Sequence, residues 1–324
     1  MKKFVLFLIL LITQISFAGI KLGIVLDKGG KDDKSFNASA FKGAMLAKDR
    51  LRFEVKDVEA KDDNSYEELL KWFASKNYDL IIGVGIAQSQ AIKKVAAQFP
   101  KSKFAIVDAE VKAPNVRSLL FNEHEGAYLV GAIAGLTTKT GKIGFVGGMD
   151  IPLIRRFQMG YEAGAKKVNP KIQVLTSYVG NVSDAWNNPP KAKELALVQY
   201  GKGVDIIFTA AGASGLGVFD AAEEKTKFAI GVDSNQNGIK PGRILTSMLK
   251  RVDTAIFLTC SDLAGGVFTP GITYYGLTTG AIEYSRDENN AKILAPAVIK
   301  QVDKIKDDIL HKKITVPDYY KKNK

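Results

Sequence analysis

Short apolar runs rich in valine and isoleucine alternate along this chain with longer segments whose apolar residues recur at helical spacing. The first strand is predicted over residues 21–26. A helix follows over 35–50, with Phe36, Ala40, Phe41, Ala44, Met45 and Ala47 on its apolar positions. The pattern then predicts a strand at 53–58, a helix at 65–75 with Ser65 and Glu68 spaced as a capping box, and a strand at 79–84. A helix at 88–98, a strand at 103–107 ending at Asp108, and a Gly/Ala-rich helix at 125–137 close this series.

A second series repeats the plan: strands at 142–148, 172–179, 204–209 and 227–232 with helices at 154–168, 190–201 and 215–224 between them. Such alternation predicts two α/β lobes, each with a parallel, doubly wound sheet. Beyond them lie a strand at 244–249, a helix at 251–265, strand-like runs at 272–277 and 281–284, and a helix at 295–311. These surplus elements imply that the chain crosses between the lobes more than once.

Met1-Lys2-Lys3, the apolar run Phe4 to Ile12 and the Ser16-Phe17-Ala18 pattern read as a cleavable secretory signal peptide. The run is too short to span a bilayer about 30 Å thick, and no later segment reaches the roughly 20 apolar residues required. Cleavage after Ala18 leaves 306 of 324 residues, more than one core usually supports. The single cysteine, Cys260, lies far from the cleavage region, so neither a disulfide nor a lipid anchor at the mature N-terminus is expected. Net charge is +12, or +10 without Lys2 and Lys3. A nucleic acid or an anionic membrane is therefore a question to ask, yet the lysines are interspersed with acids and the only dense cluster is the tail around Lys321, Lys322 and Lys324. We expect a solvated surface and no nucleic-acid partner.

Polar groups gather after the predicted strands. Asp27, Asp108 and Asp233 each follow one, and the Ala210-Ala211-Gly212 turn follows another. Any one such Asp serves equally well as a helix cap or turn former. Three of them on two facing lobes converge on one cleft. Between Asp27 and the first helix lies a polar loop ending in Ser35-Phe36-Asn37, whose ring can stack on a ligand or join the helix core. Trp186 lies in a polar, proline-containing loop with no apolar periodicity to bury it. Lys250, after a strand, is either a donor at the cleft or one more surface lysine. Gly212 reads as a tight turn where a ligand approaches the backbone. With only His124, His311 and Cys260 available, no His- or Cys-rich zinc site is possible. No phosphate loop of the Gly-x-x-x-x-Gly-Lys-Ser/Thr type occurs. No cofactor or metal is expected.

Three stretches, Asp32-Asp33-Lys34-Ser35-Phe36-Asn37, Glu125-Gly126-Ala127-Tyr128-Leu129-Val130-Gly131 and Gly231-Val232-Asp233-Ser234-Asn235-Gln236, resemble the basic membrane protein family. Its members are substrate-binding proteins of ABC importers, purine nucleoside receptors among them. The resemblance implies the periplasmic-binding-protein type I fold: two Rossmann-like lobes joined by a three-strand hinge. It divides the chain into residues 19–122 plus about 252–282, and 123–251 plus about 283–324. It further implies that Phe36 stacks on a purine with Trp186 on the other face, that Asp27 and Asn37 meet the base edge, and that Asp108, Asp233 and Lys250 hold the ribose. Carboxylates suit vicinal hydroxyls, charge-assisted bonds of this kind contributing about 1.5–3 kcal/mol each. Three acids would repel a phosphate. Many family members carry a lipid-bearing cysteine that Ser16-Phe17-Ala18-Gly19 lacks, which points to a freely diffusing periplasmic protein; the Trp186-Asn187-Asn188-Pro189-Pro190 loop can reshape the base pocket.

The expectation is a monomeric periplasmic receptor, not an enzyme, that captures a nucleoside, with a purine favoured, and passes it to an inner-membrane ABC permease. A sugar or autoinducer receptor of the same fold, a sensor partner of a membrane receptor, and a nucleoside hydrolase are the alternatives.

Overall fold

The computed structural model describes residues 19–322, so the expected signal peptide lies outside the described residues. Two six-stranded sheets form. The first has the order β11-β5-β4-β3-β1-β2, built from β1 (Lys21–Leu26), β2 (Glu54–Glu59), β3 (Leu80–Val84), β4 (Lys103–Val107), β5 (Val116–Phe121) and β11 (Gly271–Tyr275). Every pairing in it is parallel. The second has the order β12-β10-β9-β8-β6-β7, with β6 (Lys142–Met149), β7 (Gln173–Gly180), β8 (Ile206–Ala210), β9 (Phe228–Asp233), β10 (Ile244–Lys250) and β12 (Ile282–Tyr284). Here the strands of the alternating series pair in parallel, as expected, and β12, one of the surplus runs, joins the sheet antiparallel to β10. A turn at Leu277–Thr279 brings the chain back from the other lobe directly, without the helix that a parallel return requires.

Burial explains why these strands were legible. Central strands β3 and β8 are buried along their whole length and read as continuous apolar runs, whereas edge strand β2 alternates with polar residues. Strand β5 is the exception, since Arg117 and Ser118 interrupt its apolar pattern and it was not predicted. Both polar groups are satisfied by tertiary contacts: Arg117 donates to Asp262 at 2.6 Å and to the Thr269 carbonyl at 2.7 Å, and Ser118 Oγ accepts from the Val111 amide.

Helices α1 (Phe36–Leu51), α2 (Ser65–Ser75), α3 (Ser89–Gln98) and α8 (Val252–Ala264) cover the first sheet; α8 packs on α1. Helices α4 (Glu123–Thr137), α5 (Pro152–Val168), α6 (Pro189–Gly201), α7 (Gly215–Glu224) and α9 (Pro296–Leu310) cover the second, and α10 (Tyr319–Lys322) lies against α5. Helices α4 and α5 pack closely because both carry glycine at the contact: a Cβ on Gly131 would stand 2.1 Å from the Tyr161 carbonyl oxygen. The expected capping box at α2 does not form. Ser65 Oγ instead donates to the Asp62 carbonyl, and the Asp62 carboxylate accepts from the Asn64 and Ser65 amides, because Asp62 sits where the preceding turn reaches the helix end.

The chain passes between lobes three times: from β5 into α4, from β10 into α8, and from β11 to β12. Strand order reverses between β1 and β3 in one sheet and between β6 and β8 in the other. Crevices at such reversals, beyond the carboxyl ends of the strands, are where open α/β sheets bind ligands.

Candidate functional site

The two crevices form one cavity. Asp27, Lys28, Asp33, Phe36, Asn37, Ile86 and Asp108 line it from the first lobe, and Leu153, Phe157, Trp186, Gly212, Asp233 and Lys250 from the second. Eight of the nine expected residues are in that wall. The ninth, Ser35, is buried between the lobes, where its Oγ donates to Asp233 at 2.6 Å.

The loop after β1 is organised by its own carboxylates and amides. Asp33 accepts from the backbone amides of Ser35, Asn37 and Ala38, so it closes the start of α1 and aims Phe36 into the cavity. Asn37 accepts from the Asp27 amide through Oδ1 and donates through Nδ2 to Asp33 and the Lys28 carbonyl. Its side chain is thus largely engaged in holding the loop. Asp27 accepts a short hydrogen bond from the Tyr66 hydroxyl and another from the Lys28 amide at 2.8 Å. Burial pushes its carboxyl up to about 6, although Tyr66 and the Lys28 amide favour the charged form.

At the other end Asp108 and Asp233 close β4 and β9. Both backbones are left-handed, with φ of 69° and 64°, an arrangement that residues other than glycine adopt seldom and aspartate more readily than most. Lys250 Nζ donates to Asp108 Oδ2 at 2.5 Å and lies over the Phe36 ring at 4.9 Å from its centroid. Burial works against the ammonium, but Asp108, Glu123 and Asp233 outweigh it and hold its pKa above the ordinary value. Burial raises Asp233 to about 6 even with Lys250 and Ser35 beside it. Asp108 Oδ1 is buried without a hydrogen-bond partner among the described residues. An orphaned carboxylate oxygen of this kind is costly unless something donates to it.

Trp186 is not the unpartnered indole that its loop implied. It ends a 3-10 turn, Ser183–Trp186, is half-buried, and seats its ring on Gly148, where a Cβ would come within 2.2 Å. Gly212, at φ +57°, makes the turn after β8 close beside the Trp186 carbonyl.

Sequence reading missed Leu153 and Phe157, which belong to the helical face of α5 and look like ordinary core positions; only the packing of α5 against the cleft reveals them. It also missed Tyr66 and Glu123. Tyr66 sits on an apolar helix position, and Glu123 begins α4 where a first-turn acid is commonplace. Glu123 lies 3.7 Å from Lys250, and burial pushes it up to about 7.

The lobes touch across the cleft. Ser234 Oγ donates to the Ser35 carbonyl, Gln236 Nε2 to the Lys34 carbonyl, Ser183 Oγ to Asp63, and Lys28 Nζ to Asp184 at 2.6 Å. No group of acids, histidines and cysteine among the described residues is arranged to hold a metal ion, and no described helix is long and apolar enough to cross a membrane.

A two-lobed α/β protein with three crossings and a polar and aromatic cavity between the lobes is the architecture of a solute-binding protein. Residues 20–319 match the Bmp family, described as ABC transporter substrate-binding protein, PnrA-like, and the chain belongs to that family. It is 36% identical to a CD4+ T-cell-stimulating antigen of Listeria monocytogenes, over 92% of this chain and 88% of that one. It is 35% identical to the ABC transporter nucleoside-binding protein BmpA of Lactococcus lactis, over 92% and 89%. Among solved structures it is similar to an ABC transporter solute-binding protein of Aeropyrum pernix, with TM-score 0.84, 29% identity, and coverage of 92% and 94%. The family is one of binding proteins that serve transporters on the outer side of the membrane, not of enzymes.

Proposed function

We propose that this protein captures a nucleoside, with a purine as the favoured base, and delivers it as a monomer to an ABC permease of the inner membrane. Residues 1–18 would export it to the periplasm. The observation that carries the reading is Asp108 Oδ1, buried in the cleft wall without a donor beside Lys250 and near Asp233. A vicinal diol supplies the missing donors. Phe36 and Trp186 line the same cavity from opposite lobes and offer faces to a planar ring, base stacking on an aromatic contributing about 1–3 kcal/mol. Asp27, with a carboxyl near 6, meets the base edge; Asn37 holds the Asp27 loop beside it, its Oδ1 accepting from the Asp27 amide and its Nδ2 donating to Asp33 and the Lys28 carbonyl. The nucleoside-binding name of the Lactococcus lactis relative supports the same ligand class.

Cross-lobe bonds describe how capture closes the protein: a ligand that touches both lobes adds to them only when the lobes are together, so it favours the closed form. Thermal unfolding of residues 19–324 against purine and pyrimidine nucleosides, bases, nucleotides and sugars tests the reading. A rise in Tm with nucleosides and none with nucleotides supports it, since a ligand specific to the folded state stabilises by mass action. A rise with a free sugar alone would overturn it.

A further inference from the structure

The ligand lysine is the second member of a buried row of five charges that runs away from the cleft, across the hinge, to the C-terminal segment. Lys250 Nζ is 2.5 Å from Asp108 Oδ2 on the ligand side and 3.7 Å from Glu123 Oε1 on the other. Glu123 Oε2 in turn accepts from Arg156 Nη1 at 2.7 Å. Arg156 then meets Asp318 in a two-pronged pair, Nε to Oδ1 at 2.7 Å and Nη2 to Oδ2 at 3.1 Å, with the Tyr320 ring 4.8 Å from the guanidinium carbon. Lys250, Glu123 and Arg156 are each at most 4% exposed, and the Asp318 side chain is 7% exposed. Signs alternate along the whole row: Asp108, Lys250, Glu123, Arg156, Asp318.

The geometry points to Arg156 and Asp318 as positioning residues that set how Lys250 and Asp108 present themselves to a ligand hydroxyl. This rests on the nucleoside reading above. Neither residue lines the ligand cavity, so an effect on binding is indirect, with Glu123 as the charged link from Arg156 to Lys250. Arg156 also donates to the Phe121 carbonyl at 2.5 Å and approaches Asn122 Oδ1 at 3.4 Å, which ties the guanidinium to the first hinge crossing. Its hydrogens are therefore fully used, and Glu123 is shared between two cations. Remove the charge on Asp318, and the guanidinium, left with a single carboxylate, draws Glu123 toward itself. Lys250 then loses its second anchor and pairs more tightly with Asp108, which has less to offer a hydroxyl. The tail is thus part of the binding site's electrostatics even though it stands outside the cleft.

The test is a cycle between protein and ligand. Kd values for inosine and for 2′,3′-dideoxyinosine are measured by calorimetry for the parent protein, Asp318→Asn and Asp318→Glu. In the parent, inosine binds more tightly, and the ratio of the two Kd values reports the hydroxyl contacts. Asp318→Asn should shrink that ratio roughly three- to tenfold, the range of coupling carried by such networks. Asp318→Glu, which restores the charge, should recover it. Loss of general stability would weaken both ligands alike and leave the ratio unchanged, so an unchanged ratio in Asp318→Asn overturns the proposal. A parent protein that binds both ligands equally overturns the placement of ribose at Asp108 and this proposal with it. The two failures are distinguished by whether the parent discriminates.

Discussion

Replacing Asp27 by asparagine should make the empty protein more stable at neutral pH while weakening its ligand. Asp27 is 7% exposed, and burial pushes its carboxyl up from 3.8 to about 6; the Tyr66 hydroxyl and the Lys28 amide offset only part of that. Between those two values the folded chain holds a proton that the unfolded chain has released. Stability therefore falls as pH rises through that window and levels off above it. At 1.36 kcal/mol per unit, the cost at pH 7 is about 3 kcal/mol. Asparagine keeps the shape, still accepts from Tyr66 and Lys28 through Oδ1, and has no charge to desolvate. Urea unfolding at pH 7 without ligand should place D27N about 1–3 kcal/mol above the parent, with the two converging near pH 4. A variant less stable than the parent at pH 7, or a gap of the same size at both pH values, would refute the desolvation reasoning. Titration with inosine should show the same variant binding about tenfold more weakly or worse, which is the usual opposition between a strained functional site and stability.

Phe36→Ala should weaken nucleoside binding by about 1–3 kcal/mol in calorimetry while leaving the unfolding transition in place; unchanged affinity would remove the stacking contact. Gly148→Ala puts a methyl 2.2 Å from the Trp186 ring, so the indole must leave its seat, and the affinity should drop with little change in circular dichroism. Lys250→Met leaves Asp108 and Glu123 buried without their shared cation and should destabilise the protein by about 3–5 kcal/mol in urea unfolding; a loss below 1 kcal/mol would mean that the pair is more solvated than its geometry indicates. Gly164→Ala brings a Cβ to 1.9 Å from the Tyr128 carbonyl oxygen, so α5 must move off α4, and Tm should fall by several degrees; an unchanged Tm would show that the contact yields freely.

Most of the architecture was present in the chain as local pattern. A parallel strand buried on both faces has to be apolar throughout, and the amphipathic helix beside it has to repeat near 3.6, so β1, β3, β4, β6 and β8 and the helices between them stand out from residue types alone. Asp27, Asp108, Asp233 and Phe36 were visible for a related reason: in this plan the carboxyl ends of strands are where polar groups meet ligands. Tertiary structure decided what no local pattern encodes. Strand β5 carries Arg117 and Ser118, and the partners of Arg117 lie 152 and 145 positions away, so the strand is recognisable only once Thr269 and Asp262 are seen beside it. The direction of β12 follows from the third crossing and not from its own sequence. Trp186 acquires its seat from Gly148, 38 positions away along the chain. The line from Asp108 through Lys250, Glu123 and Arg156 to Asp318 joins residues spread over the whole chain, and pairing between buried charges depends on distance in space, which sequence separation does not supply.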